Sequence, residues 1–182
     1  MLPLKSKILL KEDAQESNFK KLDLRSYKII HLATHGEISG AISGIDEPFL
    51  VLSPPDESSN EDGLLKMSEI MSLDTNAKLV VLSACNTAAG DEVGSGGFSG
   101  LAKSFFMSGS KSVLVSNWYV ETYSAKEIII NLFKNLKDNQ NYSISEGLNI
   151  TMINMLKSEK ERSHPLFWAP FIVVGENKSL FF

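Results

Sequence analysis

His35 and Cys85 could act together as a base and a nucleophile, and each follows an apolar stretch of the chain. A thiol has an ordinary pKa of ~8.5, so it needs a base or a positive neighbour to become a thiolate at neutral pH. A neutral imidazole can accept that proton and later return it to a leaving group. The pair therefore predicts covalent chemistry in which Cys85 attacks a carbonyl carbon and His35 transfers the proton.

Gly36 and the backbone of Cys85 are the candidate donors for the negative oxygen that forms in such a reaction. A tetrahedral oxyanion needs fixed N–H groups, and Gly36, directly after the histidine, lets a substrate approach the backbone closely. Taken singly, a cysteine that closes an apolar strand is more typical of a small buried residue, and a lone histidine is more typical of a structural position. The catalytic hypothesis depends on the combination.

His31 and His35 raise a metal site as an alternative, because they lie four residues apart in HLATHG. The stretch IIHLATH, with the β-branched Ile29, Ile30 and Thr34, favours a strand. Four residues of a strand span ~13 Å, which is too far for joint coordination. We therefore expect His31 to be a core histidine with a hydrogen-bond partner. We expect His164, which precedes Pro165, to be a turn residue.

Two further chemistries are disfavoured by spacing. A cysteine phosphatase needs an arginine six residues after the nucleophile, where this chain has Asp91. Residues 90–100 are glycine-rich and precede a helix pattern, but they lack the lysine of a phosphate-binding loop, and Asp91 and Glu92 would repel phosphate.

Apolar stretches alternate with amphipathic ones along the chain. The predicted strands are residues 7–10, 26–35, 48–53, 78–84, 112–116 and 167–175. The predicted helices are residues 13–22, 66–73, 98–109, 125–136 and 143–155, the last opened by a capping box of Ser143 and Glu146. This alternation predicts an α/β sandwich around a mostly parallel sheet, whose sites lie at the carboxyl ends of the strands. His35 and Cys85 would meet there if their strands are neighbours.

The composition is that of an ordinary globular protein with one domain, residues 1–182. The net charge is −4 without a basic block, which disfavours nucleic acid or an anionic membrane as a direct partner. A single cysteine allows no internal disulfide, and we expect a cytoplasmic location. No apolar run reaches the ~20 residues that cross a bilayer.

Four linked motifs resemble the CHAT domain, a family of caspase-like and separase-like cysteine peptidases. The motifs read HLATHG, KLVVLSACNTAAG, SGGFSGLAKSFFMSGSKSVLVSNWYVE and HPLFWAPFIVVG, and the resemblance extends from about residue 7 to residue 175. The resemblance implies a caspase-like, three-layer α/β/α sandwich with a central sheet of about six strands. It also implies a His35–Cys85 dyad, and the cysteine follows the histidine by about the spacing found in caspases.

The same resemblance implies that residues 117–121 border the peptide-binding groove, with Trp118 and Glu121 as substrate-binding residues. Glu121 would accept a basic side chain before the scissile bond. The alternative, that Glu121 caps the following helix, is left open. Residues Ser95-Gly96-Gly97 stand where the family often has Gly-Glu-Gly, and Tyr119 stands where proline is common.

Together these features predict a cysteine endopeptidase that needs no metal or organic cofactor. The expected partners are a protein or peptide substrate and a tetratricopeptide-type repeat region or activating protein, since the chain looks like the C-terminal catalytic part of a larger protein. The alternative is a catalytically latent scaffold or interaction module, whose loops at 37–47, 54–63 and 86–97 are ordered by a partner.

Overall fold

A computed structural model describes residues 6–83, 100–158 and 161–182. The strands are β1 Ile29–Leu32, β2 His35–Glu37, β3 Phe49–Val51, β4 Leu64–Lys66, β5 Leu79–Leu82, β6 Ser112–Ser116 and β7 Phe171–Gly175. The α-helices are α1 Glu16–Lys20, α2 Met67–Met71, α3 Gly100–Met107, α4 Thr122–Asp138 and α5 Ile144–Leu156. Short 3₁₀ turns at Glu161–Ser163 and Pro165–Phe167 precede β7.

The larger sheet has the strand order β1-β5-β6-β7. Its first three strands are parallel, and β7 returns antiparallel to β6. Every residue of β5 and of β6 is buried, as expected for central strands that are covered on both faces. A mixed α/β fold with a mostly parallel sheet is therefore confirmed.

The prediction of about six strands in one sheet is wrong for the part of the chain that the structure describes. The apolar stretch 26–35 divides at Ala33 and Thr34, where β1 ends and β2 begins. Strand β2 pairs with β3 and β3 with β4, which gives a separate three-stranded antiparallel sheet. The large sheet has four strands because residues 48–53 contribute β3 to the small sheet and residues 7–10 form no strand.

Two clusters of buried side chains pack against opposite faces of the large sheet. One cluster joins Ile30 and Val80 to α2, α3 and the small sheet. The other joins Leu79 and Val81 to α4 and α5. Helices therefore lie on both faces of the large sheet. Within the described ranges, no helix is long and apolar enough to cross a membrane.

Most predicted helices are present, with shifted ends. Ser143 and Glu146 form the predicted capping box at the start of α5. The first helix begins at Glu16 rather than Asp13, since Lys11–Asp13 forms a 3₁₀ turn of its own. Phe98, expected to open the third helix, lies outside the described residues. Gly109 ends that helix as predicted, with a φ of +107°, and a Cβ there would lie 2.4 Å from the Thr75 carbonyl oxygen.

Candidate active site

The carboxyl ends of β1 and β5 lie side by side, which is the arrangement that the dyad requires. Leu32 and Leu82, the last residues of the two strands, are direct partners in the parallel register. Beyond them the Ser83 N–H donates to the Leu32 carbonyl oxygen at 3.0 Å. His31 Nε2 and Ser83 Oγ are 2.8 Å apart, so a side-chain hydrogen bond also joins the two strand ends.

His35 is solvent-exposed at the start of β2, opposite Val51 of β3. The Thr34 hydroxyl donates to the Val51 carbonyl oxygen, which fixes the chain just before the histidine. Gly36 follows in the same strand and pairs with Leu50. The imidazole is thus held on a short, paired strand and is open to a substrate.

Cys85 lies outside the described residues, so the distance between its thiol and His35 is not part of the structure. The chain leading to it nevertheless constrains where it can be. His35 follows Leu32 by three residues, and Cys85 follows Leu82 by three. Because three extended residues reach at most ~10 Å and the two starting residues are paired, the described chain allows the dyad to form.

His31 was expected to be a core histidine, and this prediction is only half right. Its hydrogen-bond partner is present, namely Ser83, but the residue is exposed rather than buried. Desolvation by the neighbouring protein atoms lowers the pKa of His31 although one side of the ring faces solvent. His31 and His35 lie in strands of two different sheets, so the distance between them cannot be taken from the length of a single strand.

A group of carboxylates that could hold a metal lies away from the two histidines, and no histidine belongs to it. Among the described residues, one group of potential metal ligands brings its oxygens within 4.8 Å of one another, and it consists of Glu16, Glu61 and Glu69. The Lys20 ammonium lies 2.5 to 2.8 Å from all three side chains. A cation therefore already occupies this cluster, which fastens α1 to the loop before β4 and to α2.

Trp118 lies in the segment after β6, at the same carboxyl edge of the sheet. Its indole Nε1 donates to the Leu166 carbonyl oxygen at 3.1 Å, and the neighbouring Asn117 N–H donates to the Pro170 carbonyl oxygen at 2.9 Å. These bonds fix the segment against the chain that leads into β7. Tyr119, the next residue, exposes 67% of its surface.

Glu121 is at the N-cap position of α4, and its carboxylate is held by other side chains. Arg162 donates from Nε to Oε2 at 3.1 Å and from Nη2 to Oε1 at 3.2 Å, and Ser124 Oγ donates to Oε2 at 2.9 Å. The guanidinium also lies 4.2 Å above the centre of the Tyr123 ring. Hydrogen bonds from Arg162 and Ser124 lower the pKa of Glu121 and keep it charged.

Sequence reasoning missed Arg162 and Ser83, and no local pattern would have revealed either. Arg162 is 41 residues from Glu121, and Ser83 is 52 residues from His31. Such pairs are created by the fold alone. His164 behaves as predicted for a turn residue, since its Nδ1 accepts from the Leu166 N–H and caps the 3₁₀ turn.

Comparison with known proteins gives the same family as the motifs. A family model described as the CHAT domain matches residues 3–176. Tetratricopeptide repeat protein 28 of Mus musculus is 28% identical over 160 residues, which cover 81% of this chain and 6% of that protein. The Homo sapiens protein of the same name is 29% identical over 117 residues, or 64% of this chain and 5% of that protein. The chain thus spans a small fraction of these relatives. Since the family match extends over nearly its whole length, the chain belongs to the CHAT domain family.

Proposed function

We propose that this chain is a cysteine endopeptidase whose base is His35 and whose nucleophile is Cys85. One observation carries the proposal: the strands that lead to these two residues end as neighbours, with Leu32 opposite Leu82. Membership of the CHAT family, which is related to cysteine peptidases, agrees with it. His35 is exposed at the start of β2, so a protein substrate can reach it.

The proposed reaction has two steps. In the first, the Cys85 sulfur attacks the peptide carbonyl carbon while His35 takes the thiol proton, and the Gly36 and Cys85 N–H groups stabilise the oxyanion. The C–N bond then breaks, and the amine leaves with the proton held by His35. In the second step water attacks the thioester, which releases a carboxylic acid and restores the thiol.

Trp118 and Glu121 are proposed to contact the substrate next to the cleaved bond. The exposed aromatic rings at 118 and 119 offer an apolar surface to a peptide. A carboxylate at 121 favours an arginine or lysine, because a bidentate guanidinium contact suits it well. Arg162 already makes this contact, so a basic substrate side chain must replace Arg162 to use it.

A latent interaction module is the second candidate, and the Glu121–Arg162 pair favours it. The carboxylate proposed to recognise substrate is occupied from within the chain. In this case a partner would have to rearrange the segment around Arg162 before a substrate binds. A tetratricopeptide-type repeat region is the proposed partner, since the relatives carry that name and are far longer than this chain.

The remaining parts of the proposal concern setting and architecture. We propose that residues 1–182 form one caspase-like domain, the catalytic part of a larger protein, and that it works in the cytoplasm. Its single cysteine suits a reducing compartment. The proposed partners are proteins or peptides, and we do not expect nucleic acid or a membrane to bind this chain directly.

A peptide library in which the residue before the scissile bond varies tests the proposed activity. We expect cleavage by the wild type, none by Cys85→Ala, and a loss of at least about a hundredfold in His35→Ala. His31→Gln is the matched control, because it changes a neighbouring histidine that is given no catalytic part. Cleavage that survives Cys85→Ala would refute the mechanism. No cleavage until a repeat-region protein is added would favour the latent module.

A further inference from the structure

One face of β1 is left uncovered where its neighbour is fully buried. Ile29 and His31 are paired with Leu79 and Val81 of β5, so the four side chains lie on the same face of the sheet. Leu79 and Val81 are 0% exposed under α4 and α5, whereas Ile29 is 37% exposed and His31 is also exposed. Strands in parallel sheets are normally covered on both faces, but no helix among the described residues covers β1 on this side.

The side of α4 that borders this uncovered face can be identified from its contacts. Asn135 of α4 donates to Thr151 of α5 at 2.9 Å, so that side of α4 faces α5. Helix α5 packs towards β7, at the far end of the strand order from β1. Because α4 packs on β5, whose outer neighbour is β1, the opposite side of α4 points towards β1.

That opposite side carries two apolar residues between two lysines. Lys126, Ile130, Phe133 and Lys137 follow one another at helical spacing and form one stripe along α4. Ile130 is 54% exposed, Phe133 is half-buried against the core, and both lysines are exposed. We call the space between this stripe and the exposed face of β1 the β1–α4 groove.

The charges around the groove indicate what can occupy it. Lys126 and Lys137 lie at its two ends, about 16 Å apart along the helix axis, and Lys28 is exposed just before β1. The α4 stripe contains no carboxylate. A second copy that docked through this same face would bring lysines against lysines, which is unfavourable, whereas an acidic partner would be attracted.

We propose that the β1–α4 groove binds an amphipathic helix of a partner protein. The helix presents an apolar stripe to Ile29, Ile130 and Phe133, and acidic residues at both ends to Lys126 and Lys137. This is the helix-in-groove mode of recognition, in which apolar anchors at i, i+3, i+4 and i+7 give affinity. The charged ends set the orientation and select acidic over basic helices.

Fluorescence anisotropy with two stapled helical peptides tests this proposal. Both peptides carry one leucine stripe; the first has glutamates at both ends and the second has lysines there. We expect the acidic peptide to bind with a micromolar Kd and the basic peptide at least about tenfold more weakly. Ile130→Asp should abolish binding. Ile153→Asp, at an exposed apolar residue of α5, should leave it unchanged.

A charge reversal makes the result specific to the groove. In Lys126→Glu/Lys137→Glu the preference should invert, so that the basic peptide binds more tightly. Equal binding of both peptides, no binding of either, or retained binding in Ile130→Asp would overturn the proposal. A wild-type dimer in sedimentation velocity that Ile130→Asp dissociates would also overturn it, because the occupant would then be a second copy.

Discussion

Replacing Lys20 by methionine should destabilise the protein in a strongly pH-dependent way. Glu16 is 1% exposed, its Oε2 accepts from the Gly63 N–H, and its Oε1 lies 2.5 Å from the Lys20 ammonium without a well-aligned hydrogen bond. Lys20 also binds Glu61 and Glu69, both at 2.8 Å. Methionine keeps the apolar stem of the side chain but leaves three carboxylates without a cation.

The size of the effect is set by the free-energy cost of protonating Glu16, which removes the unpaired buried charge in the variant. Burial raises the pKa of Glu16 above its ordinary 4.5, whereas Lys20 acts to lower it. Without Lys20 the carboxyl can take up a proton, and at pH 7 that costs about 3.4 kcal/mol for a group of this ordinary pKa. We therefore expect a loss in the free energy of unfolding of about 3 kcal/mol at pH 7, near the lower end for a broken buried ion pair.

The sign of the pH dependence is fixed by the direction of that shift. A carboxyl whose pKa is raised by folding favours the folded state below its ordinary pKa and disfavours it as the pH rises above 4.5. The same proton costs only about 0.7 kcal/mol at pH 5. The deficit of Lys20→Met should therefore shrink to about 1 kcal/mol there. Urea denaturation from pH 5 to pH 7, followed by circular dichroism, measures it.

Two further variants and the addition of calcium control this prediction. Lys21→Met changes an exposed neighbour and should have little effect. The double variant Lys20→Met/Glu16→Gln removes the buried charge and should recover most of the stability at pH 7. Lys20→Met alone should also be stabilised by millimolar calcium, since three carboxylate oxygens lie within 4.8 Å of one another. A deficit that is the same at pH 5 and pH 7 would refute the reasoning.

Three further predictions concern single positions. Gly109→Ala should lower the free energy of unfolding by about 2 kcal/mol or more in urea denaturation, because the φ of +107° is strained for alanine and its Cβ would meet the Thr75 carbonyl. Ser143→Ala should cost about 1 kcal/mol in the same assay, since the Ser143 side chain accepts from the Glu146 N–H at the start of α5. Desolvation lowers the pKa of His31 from 6.5, so the wild type should lose stability as the pH falls below about 6.5, and His31→Gln should lose less.

Each of these three has a result that contradicts it. An unchanged midpoint in Gly109→Ala would mean that the turn relaxes without cost. An unchanged free energy of unfolding in Ser143→Ala would mean that the cap does not stabilise α5. Parallel pH profiles of the wild type and His31→Gln would mean that His31 keeps its ordinary pKa in the folded protein.

Sequence periodicity was enough for the central strands and the long helices. The apolar stretches at 78–84 and 112–116 became β5 and β6 because nothing in them competes with a fully buried strand. Ser143 and Glu146 fixed the start of α5 because a capping box is a local interaction. These features depend on residues close in the chain, so a sequence can specify them.

The errors came from contacts between distant residues. The stretch 26–35 reads as one strand, but Thr34 bonds to Val51, and the chain passes there from one sheet to the other. His31 was predicted to be a core residue, but its burial depends on whether a helix packs over its face of β1. The ion pair of Glu121 with Arg162 was also not predicted, because the two residues are 41 positions apart in the chain.

The most direct test of the proposed dyad is the pKa of the Cys85 thiol. Cys85 is the one cysteine in the sequence, so the rate of alkylation by iodoacetamide as a function of pH reports on this thiol alone. With an imidazole beside it, the thiol pKa in the wild type should lie well below ~8.5 and should return towards that value in His35→Ala, but not in His31→Gln. A wild-type thiol pKa at or above ~8.5, unchanged in His35→Ala, would contradict the dyad.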